Sequence, residues 1–187
     1  MTTRNDSDHY APALVALHWL MLILMAAVYA CIELRVLYDK GSVPREALKS
    51  WHFMLGLCVL VLVAVRVLIR ARAGAAPAIE PPLKAWQTWT SRAMHLALYG
   101  LMIAMPVAGW VMLSASGKPI PFFGLNLPPL VAENKELAAR IKELHETAGT
   151  AGYVLIDLHA LAGLFHHHVL RDNTLARMWP GRRRVFR

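Results

Sequence analysis

Four stretches of this chain, residues 14–34, 51–69, 94–113 and 149–170, are almost unbroken runs of apolar side chains, and the charged residues collect between them. The fourth carries only Asp157 and histidines. A helix needs about 20 apolar residues to cross a hydrocarbon core of about 30 Å, and each run supplies them. The pattern predicts an all-α membrane protein, a bundle of four transmembrane helices over about 13–34, 50–70, 86–113 and 141–170. A basic tail over 171–187 follows, and the whole of 1–187 forms one domain. Pro12 suits a first helical turn, Ser50 an N-cap for helix 2, and Pro106 with Gly109 a kink in helix 3. Trp86 and Trp89 read as interfacial anchors. The Ala- and Pro-rich stretch 73–84 is an extended connector. The longest connection, 114–140, opens with GKPIPFFGLNLPPL, expected as an irregular lid, and continues with AENKELAARIKELHE, which has helical spacing and leads into helix 4.

Composition agrees with that pattern and narrows it. Of 187 residues, 57% are hydrophobic, too many for an ordinary soluble domain. The first run is longer than the apolar core of a secretory signal and lacks a small-residue cleavage site before Glu33 and Arg35, so it is expected to stay as a span. Both cysteines, Cys31 and Cys58, lie inside spans, and the absence of C-x-x-C-H excludes covalent haem attachment. Charge gives the orientation. The side holding the two termini and the second connection carries twelve bases against four acids, a net of +8, and the other side eight against seven, a net of +1. Lys and Arg accumulate on cytoplasmic loops, which places both termini in the cytoplasm. A basic tail directly after a span is explained by the membrane surface, so no nucleic-acid partner is expected.

Nine histidines are the candidate chemistry. His145 and His159 are fourteen residues apart on helix 4. At 1.5 Å and 100° per residue they lie about 21 Å apart along the helix and nearly on one face. Each is followed one turn later by a glycine, Gly149 and Gly163, a gap that a flat macrocycle beside its ligand requires. His18 on helix 1 matches the inner depth of His159, and His52 on helix 2, with Gly56 one turn on, matches the outer depth of His145. A lone intramembrane histidine can be no more than an interhelical hydrogen-bond donor. Four of them matched in two layers read instead as axial ligands of two stacked b haems held between helices. His95 is at the inner depth too and competes with His18 for His159. A single inner zinc held by His18, His95 and His159 is the other metal reading. His9 is expected in solvent. His166 shares the face of His159 and points into the bundle, at the start of the run His166 to His168. Arg66, fourteen residues after His52, stands at inner-haem depth and is a propionate candidate. Asp157, in mid-span, is expected to pair with Arg66 or to hydrogen-bond across helices.

The segments A-L-H-W-L around His18, W-H-F-M-L-G around His52, H-E-T-A-G around His145, L-H-A-L-A-G-L-F-H-H around His159 and the terminal R-D-N-T-L-A-R-M-W-P together resemble the bacterial cytochrome b561 family over nearly the whole chain. The resemblance implies haem ligation by His18 with His159 and by His52 with His145, in the bacterial inner membrane. It implies a ubiquinone site at the cytoplasmic end contacted by His166 and Lys84, which with His95 are the catalytic candidates; of these, His166 or His95 is expected to relay protons, because imidazole titrates near neutrality. It further implies a superoxide:ubiquinone oxidoreductase that takes electrons from superoxide on the outer side near Arg35 and Lys49. The same four-histidine pattern also occurs in the haem subunits of membrane formate dehydrogenases and nickel–iron hydrogenases. That leaves an alternative: a haem-bearing anchor passing electrons between a partner dehydrogenase and the quinone pool.

Overall fold

The computed structural model describes residues 10–180, so His9, Arg182, Arg183, Arg184 and Arg187 lie outside the described residues. Four long helices dominate: α1 (Pro12–Leu34), α2 (Val43–Arg72), α3 (Ala85–Ala115) and α4 (Lys135–Phe165). All four are long and apolar enough to cross a membrane. Large apolar side chains stand on the outside along these helices, among them Ile23 at 66%, Leu96 at 76% and Leu161 at 60% exposure. Water would not tolerate such a surface on a soluble bundle, and lipid does. The chain is a four-span membrane bundle.

α1 packs on α2, α2 on α3, and α3 on α4. Met21, Val59 and Val63 form the buried centre of the first three helices, with Leu24, Val28, Tyr99 and Met102 around it. The return from α4 to α1 is made by side chains. The Tyr29 hydroxyl donates to the Gly149 carbonyl at 3.0 Å, and the Tyr153 hydroxyl to Glu33 Oε1 at 2.7 Å. The two tyrosine rings lie 4.3 Å apart. Gly152 is what lets this pair in: a Cβ there would collide with the Tyr29 hydroxyl and press Leu101 at 3.1 Å. Overpacking of this kind costs about 1–3 kcal/mol. Gly152→Ala is therefore expected to lower the thermal midpoint of the detergent-solubilised protein, and an unchanged midpoint would show that α1 and α4 are not held together here.

Helix ends moved where local chemistry outweighs hydropathy. Helix 2 does not open at Ser50 but at Val43, seven residues earlier, because Pro44 fits the first turn and Glu46 sits at the positive end of the helix dipole, paired with Lys49 at 2.6 Å. Helix 4 opens at Lys135 rather than 141, because the Asn134 side chain accepts the Leu137 amide at 2.9 Å. At its far end the α-helix stops at Phe165, and residues His166–Leu170 form a π-helical turn.

The lid, expected as irregular, over the end of the bundle near His52 and His145 is not irregular. Ile120–Phe122 (β1) and Leu125–Leu127 (β2) form an antiparallel hairpin in the register Ile120 with Leu127 and Phe122 with Leu125. Its two turn residues, Phe123 (φ 47°) and Gly124 (φ 87°), both take positive φ, the requirement of a type I′ turn. Glycine accepts that freely; Phe123 does not, and its ring packs edge-on against Trp51 with centroids 6.1 Å apart. Ile120 is buried against Leu57 and Leu113, Trp110 Nε1 donates to the Pro128 carbonyl at 3.0 Å, and Ser114 Oγ accepts the Leu130 amide at 3.0 Å. The lid is thus fastened to α2 and α3.

The opposite end is closed by a clasp of three chain segments. Asn173 exchanges hydrogen bonds with Glu80 and donates to the Ala78 carbonyl, tying the tail to the connector. Trp19 Nε1 donates to the Met178 carbonyl at 2.7 Å. Arg177, one of the twelve bases on the side of the termini, is 5% exposed, donating to the Pro77 carbonyl with its guanidinium 5.5 Å from the Tyr10 ring centroid.

Candidate functional site: two histidine pairs on one helix

The helix period puts His145 and His159 on α4 at opposite depths, and the packing brings a second imidazole to each. His52 and His145 have ring centroids 6.2 Å apart, and so do His18 and His159. Metal–imidazole nitrogen bonds are about 2 Å, and a ring centroid lies about 1.1 Å beyond its nitrogen, so two imidazoles on opposite sides of one metal ion stand roughly 6 Å apart. Both pairs have that spacing. The ring planes are inclined at 74° and 70°.

The surroundings fit ligand histidines. His52 Nδ1 lies 3.0 Å from the Val28 carbonyl. A carbonyl only accepts, so Nδ1 carries the proton and Nε2 keeps its lone pair for a metal. His145 Nδ1 is buried with no partner among the described residues. Beside the pairs there is room: a side chain at Gly56 or at Gly163 would meet nothing within 4 Å. Gly149 departs from the expected gap, since a Cβ there would touch Met105 at 3.6 Å and its carbonyl is taken by Tyr29. At the outer pair the open glycine is Gly56. The residues present therefore fit b haem.

His95 also reaches the inner pair, 5.5 Å from His159 between centroids, with Nδ1 2.6 Å from the Ser91 carbonyl. No group of three or more His, Cys, Asp or Glu side chains among the described residues is arranged to hold a metal ion, which leaves the three-histidine zinc reading without support. Arg66 does not pair with Asp157. Its Nε donates to the Tyr99 hydroxyl at 3.0 Å and its Nη1 to the Leu14 carbonyl at 2.9 Å, while Asp157 is exposed on α4 without an ion pair among the described residues. The expectation failed because residues at one depth on α2 and α4 need not share an azimuth. Lys84 caps α3 with its backbone amide, which donates to Gln87 Oε1 at 2.8 Å, and its side chain is exposed; it makes no hydrogen bond or ion pair to His166.

His166 has a partner that the residue pattern did not announce. Its Nδ1 lies 2.5 Å from Asp172 Oδ2. The side chain of Asp172 is 1% exposed, and its other oxygen accepts the Thr174 amide at 2.9 Å. Burial pushes the Asp172 carboxyl up, and the hydrogen bonds from His166 and Thr174 outweigh it and hold the group below its usual value. A carboxyl depressed in the folded state contributes stability above its unfolded value, about 3.9, and that contribution is lost as pH falls through the folded value. The clasp should therefore loosen on acidification below about pH 4, seen as deprotection of the Thr174 amide to hydrogen exchange before the helices open. Only the acidic residue in R-D-N could have signalled this pair, and counting it as a loop charge concealed it.

The profile of prokaryotic cytochrome b561 matches residues 9–181. The chain is similar to "Cytochrome b561 homolog 1" of Escherichia coli (strain K12), 40% identical over 176 residues, which are 94% of this chain and 99% of the relative. It is also similar to "Probable superoxide oxidase CybB" of Yersinia pestis, 36% identical over 177 residues, or 93% and 97% of the two chains. A third relative, "Cytochrome b561 homolog 2" of the same Escherichia coli strain, is 29% identical over 185 residues, 95% of each chain. Four spans, two imidazole pairs and end-to-end similarity meet in one conclusion: this chain belongs to the prokaryotic cytochrome b561 family, multi-pass bacterial membrane proteins that bind b-type haem and transfer electrons.

Proposed function

We propose that this protein is a superoxide:ubiquinone oxidoreductase of the bacterial inner membrane, with both termini in the cytoplasm. Two superoxide ions are oxidised to dioxygen on the outer side, and one ubiquinone takes up the two electrons and two protons to become ubiquinol on the inner side. The observation that carries the reading is the equal 6.2 Å spacing of His52 with His145 and His18 with His159 at the two depths of α4. When bound, a haem at each pair supplies a one-electron carrier. His18 is favoured over His95 as partner of His159 because its spacing equals that of the outer pair, whereas His95 stands closer at 5.5 Å.

The protein's own residues orient, shield and attract. The lid hairpin covers the outer end, and Trp110 and Ser114 hold it. Of the outer bases first considered, Lys49 is neutralised by Glu46, while Arg35 has no ion pair among the described residues and a buried, unpartnered Nε. Attraction of superoxide therefore falls to Arg35. Arg66, held by Tyr99 through Nε and by the Leu14 carbonyl through Nη1, keeps Nη2 for a propionate at the inner site. His166, with Lys84 as the second contact, receives the quinone, and His166 or His95 supplies protons.

The test is direct. Purified protein given a superoxide-generating system and ubiquinone should produce one ubiquinol per two superoxide ions, and superoxide dismutase should abolish the product. A protein that stays oxidised with superoxide but is reduced by a dehydrogenase extract is the membrane anchor instead. Arg35→Gln should slow superoxide oxidation and flatten its dependence on ionic strength, because only an unpaired charge steers an anion.

A further inference from the structure

An aspartate six residues after a histidine has no reason to touch it. In a continuous α-helix the two Cα atoms would be about 9 Å apart along the axis and about 120° apart around it. Here two local departures bring them together. The π-helical turn His166–Leu170 loosens the last turn of the span, and Arg171 takes a left-handed conformation (φ 54°) that reverses the chain. The Asp172 amide then donates to the His166 carbonyl at 3.1 Å, and the side chains meet at 2.5 Å. A positive φ at a residue with a side chain, next to a π turn, is a strained arrangement found where geometry serves a site. The other ion pairs of the described residues are surface pairs with carboxylates 53–75% exposed; this one holds a carboxylate at 1%. Neither lysine nor arginine pairs with Asp172 among the described residues, so His166 is its counterpart.

We propose that Asp172 is a positioning residue of the quinone site: its buried carboxylate accepts a hydrogen bond from Nδ1–H of His166 and thereby commits Nε2 to the quinone carbonyl oxygen. The inference rests on the reading of His166 as a quinone contact. As ubiquinone gains its two electrons from the inner carrier, the Nε2 proton of His166 moves to one carbonyl oxygen, the imidazole becomes neutral with Nδ1–H still held by Asp172, and water at the cytoplasmic face restores the proton. A second proton reaches the other oxygen separately. An asparagine at 172 could instead donate to Nδ1, placing the proton of the neutral ring on Nε2 and leaving Nδ1 as the acceptor.

Asp172→Asn should lower kcat for ubiquinone reduction on the order of 100-fold, with little change in KM for ubiquinone and none in the rate at which superoxide reduces the haems. Asp172→Glu should recover part of kcat. If Asp172→Asn turns over normally while His166→Gln is impaired, the positioning role is wrong and the quinone site stands. If His166→Gln is itself unimpaired in both kcat and KM, the quinone reading falls and this role with it. Should Asp172→Asn not fold, nitrogen-15 spectra of histidine-labelled unmodified protein, with the resonance assigned from His166→Gln, decide the matter. The neutral ring protonated at Nδ1 is expected, and protonation at Nε2 overturns the proposal.

Discussion

Replacing His52 by alanine should take the protein from two haems per chain to one. The remaining absorption should be that of the inner site, since His18 and His159 are untouched and His159 lies about 21 Å from His145 along α4. His145→Ala should give the same spectrum as His52→Ala, because a low-spin b haem needs both imidazoles, and the double variant should look like either single one. Pyridine haemochrome counts the haems, and low-temperature spectra resolve which is lost. Ring planes inclined at 74° and 70° add a second signature: both centres should give strongly anisotropic low-spin electron paramagnetic resonance signals, and each single variant should keep only one. Loss of both haems in proportion, or full loading of the unmodified protein at one per chain, would refute the layered arrangement. Electron transfer from superoxide to ubiquinone should cease in both His52→Ala and His145→Ala.

The second large effect is expected at a position that touches nothing. A side chain at Gly163 would meet no atom within 4 Å, so the polypeptide has room for leucine there. Leucine is also a better helix former than glycine, by roughly 0.8–1 kcal/mol in a helix interior. On polypeptide grounds alone Gly163→Leu should therefore be harmless or stabilising. With a macrocycle lying against α4 one turn from His159, the same substitution should exclude the inner haem while leaving the outer one, and Gly163→Ala should weaken binding less. The opposing directions make the experiment decisive: a stable variant with one haem supports the site, and a stable variant with two shows that the macrocycle lies elsewhere. Gly56→Leu applies the same test to the outer pair, since that position is open as well.

How much of this was legible beforehand differs from residue to residue. The four spans were readable because a lipid-facing helix must be apolar along about 20 residues whatever its neighbours are, and the exposed Ile23, Leu96 and Leu161 bear the mark of that solvent. Helix starts were less readable. Val43 and Lys135 open their helices outside the apolar runs, through Pro44, Glu46 and the Asn134 cap, so the membrane boundary and the helix boundary do not coincide. The hairpin at 120–127 was concealed by the prolines around it and by Phe-Gly in the place where Asn-Gly would have announced a type I′ turn. The prediction that Asp157 pairs with Arg66 used depth alone, and the partners of Arg66 turned out to be Tyr99 and Leu14.

From the residues alone came everything that one helix can fix by itself. Backbone hydrogen bonding sets a rise and a rotation per residue, so fourteen positions between His145 and His159 dictate two depths and one face before any neighbour is present. Partnership across helices has no such local rule. Whether His18 or His95 stands 6.2 Å from His159, whether Tyr29 finds its slot at Gly152, and whether Asp172 reaches His166 all depend on how distant segments pack and where the chain turns back. Those distances are set jointly by many side chains far apart in the chain, and only the assembled bundle determines them.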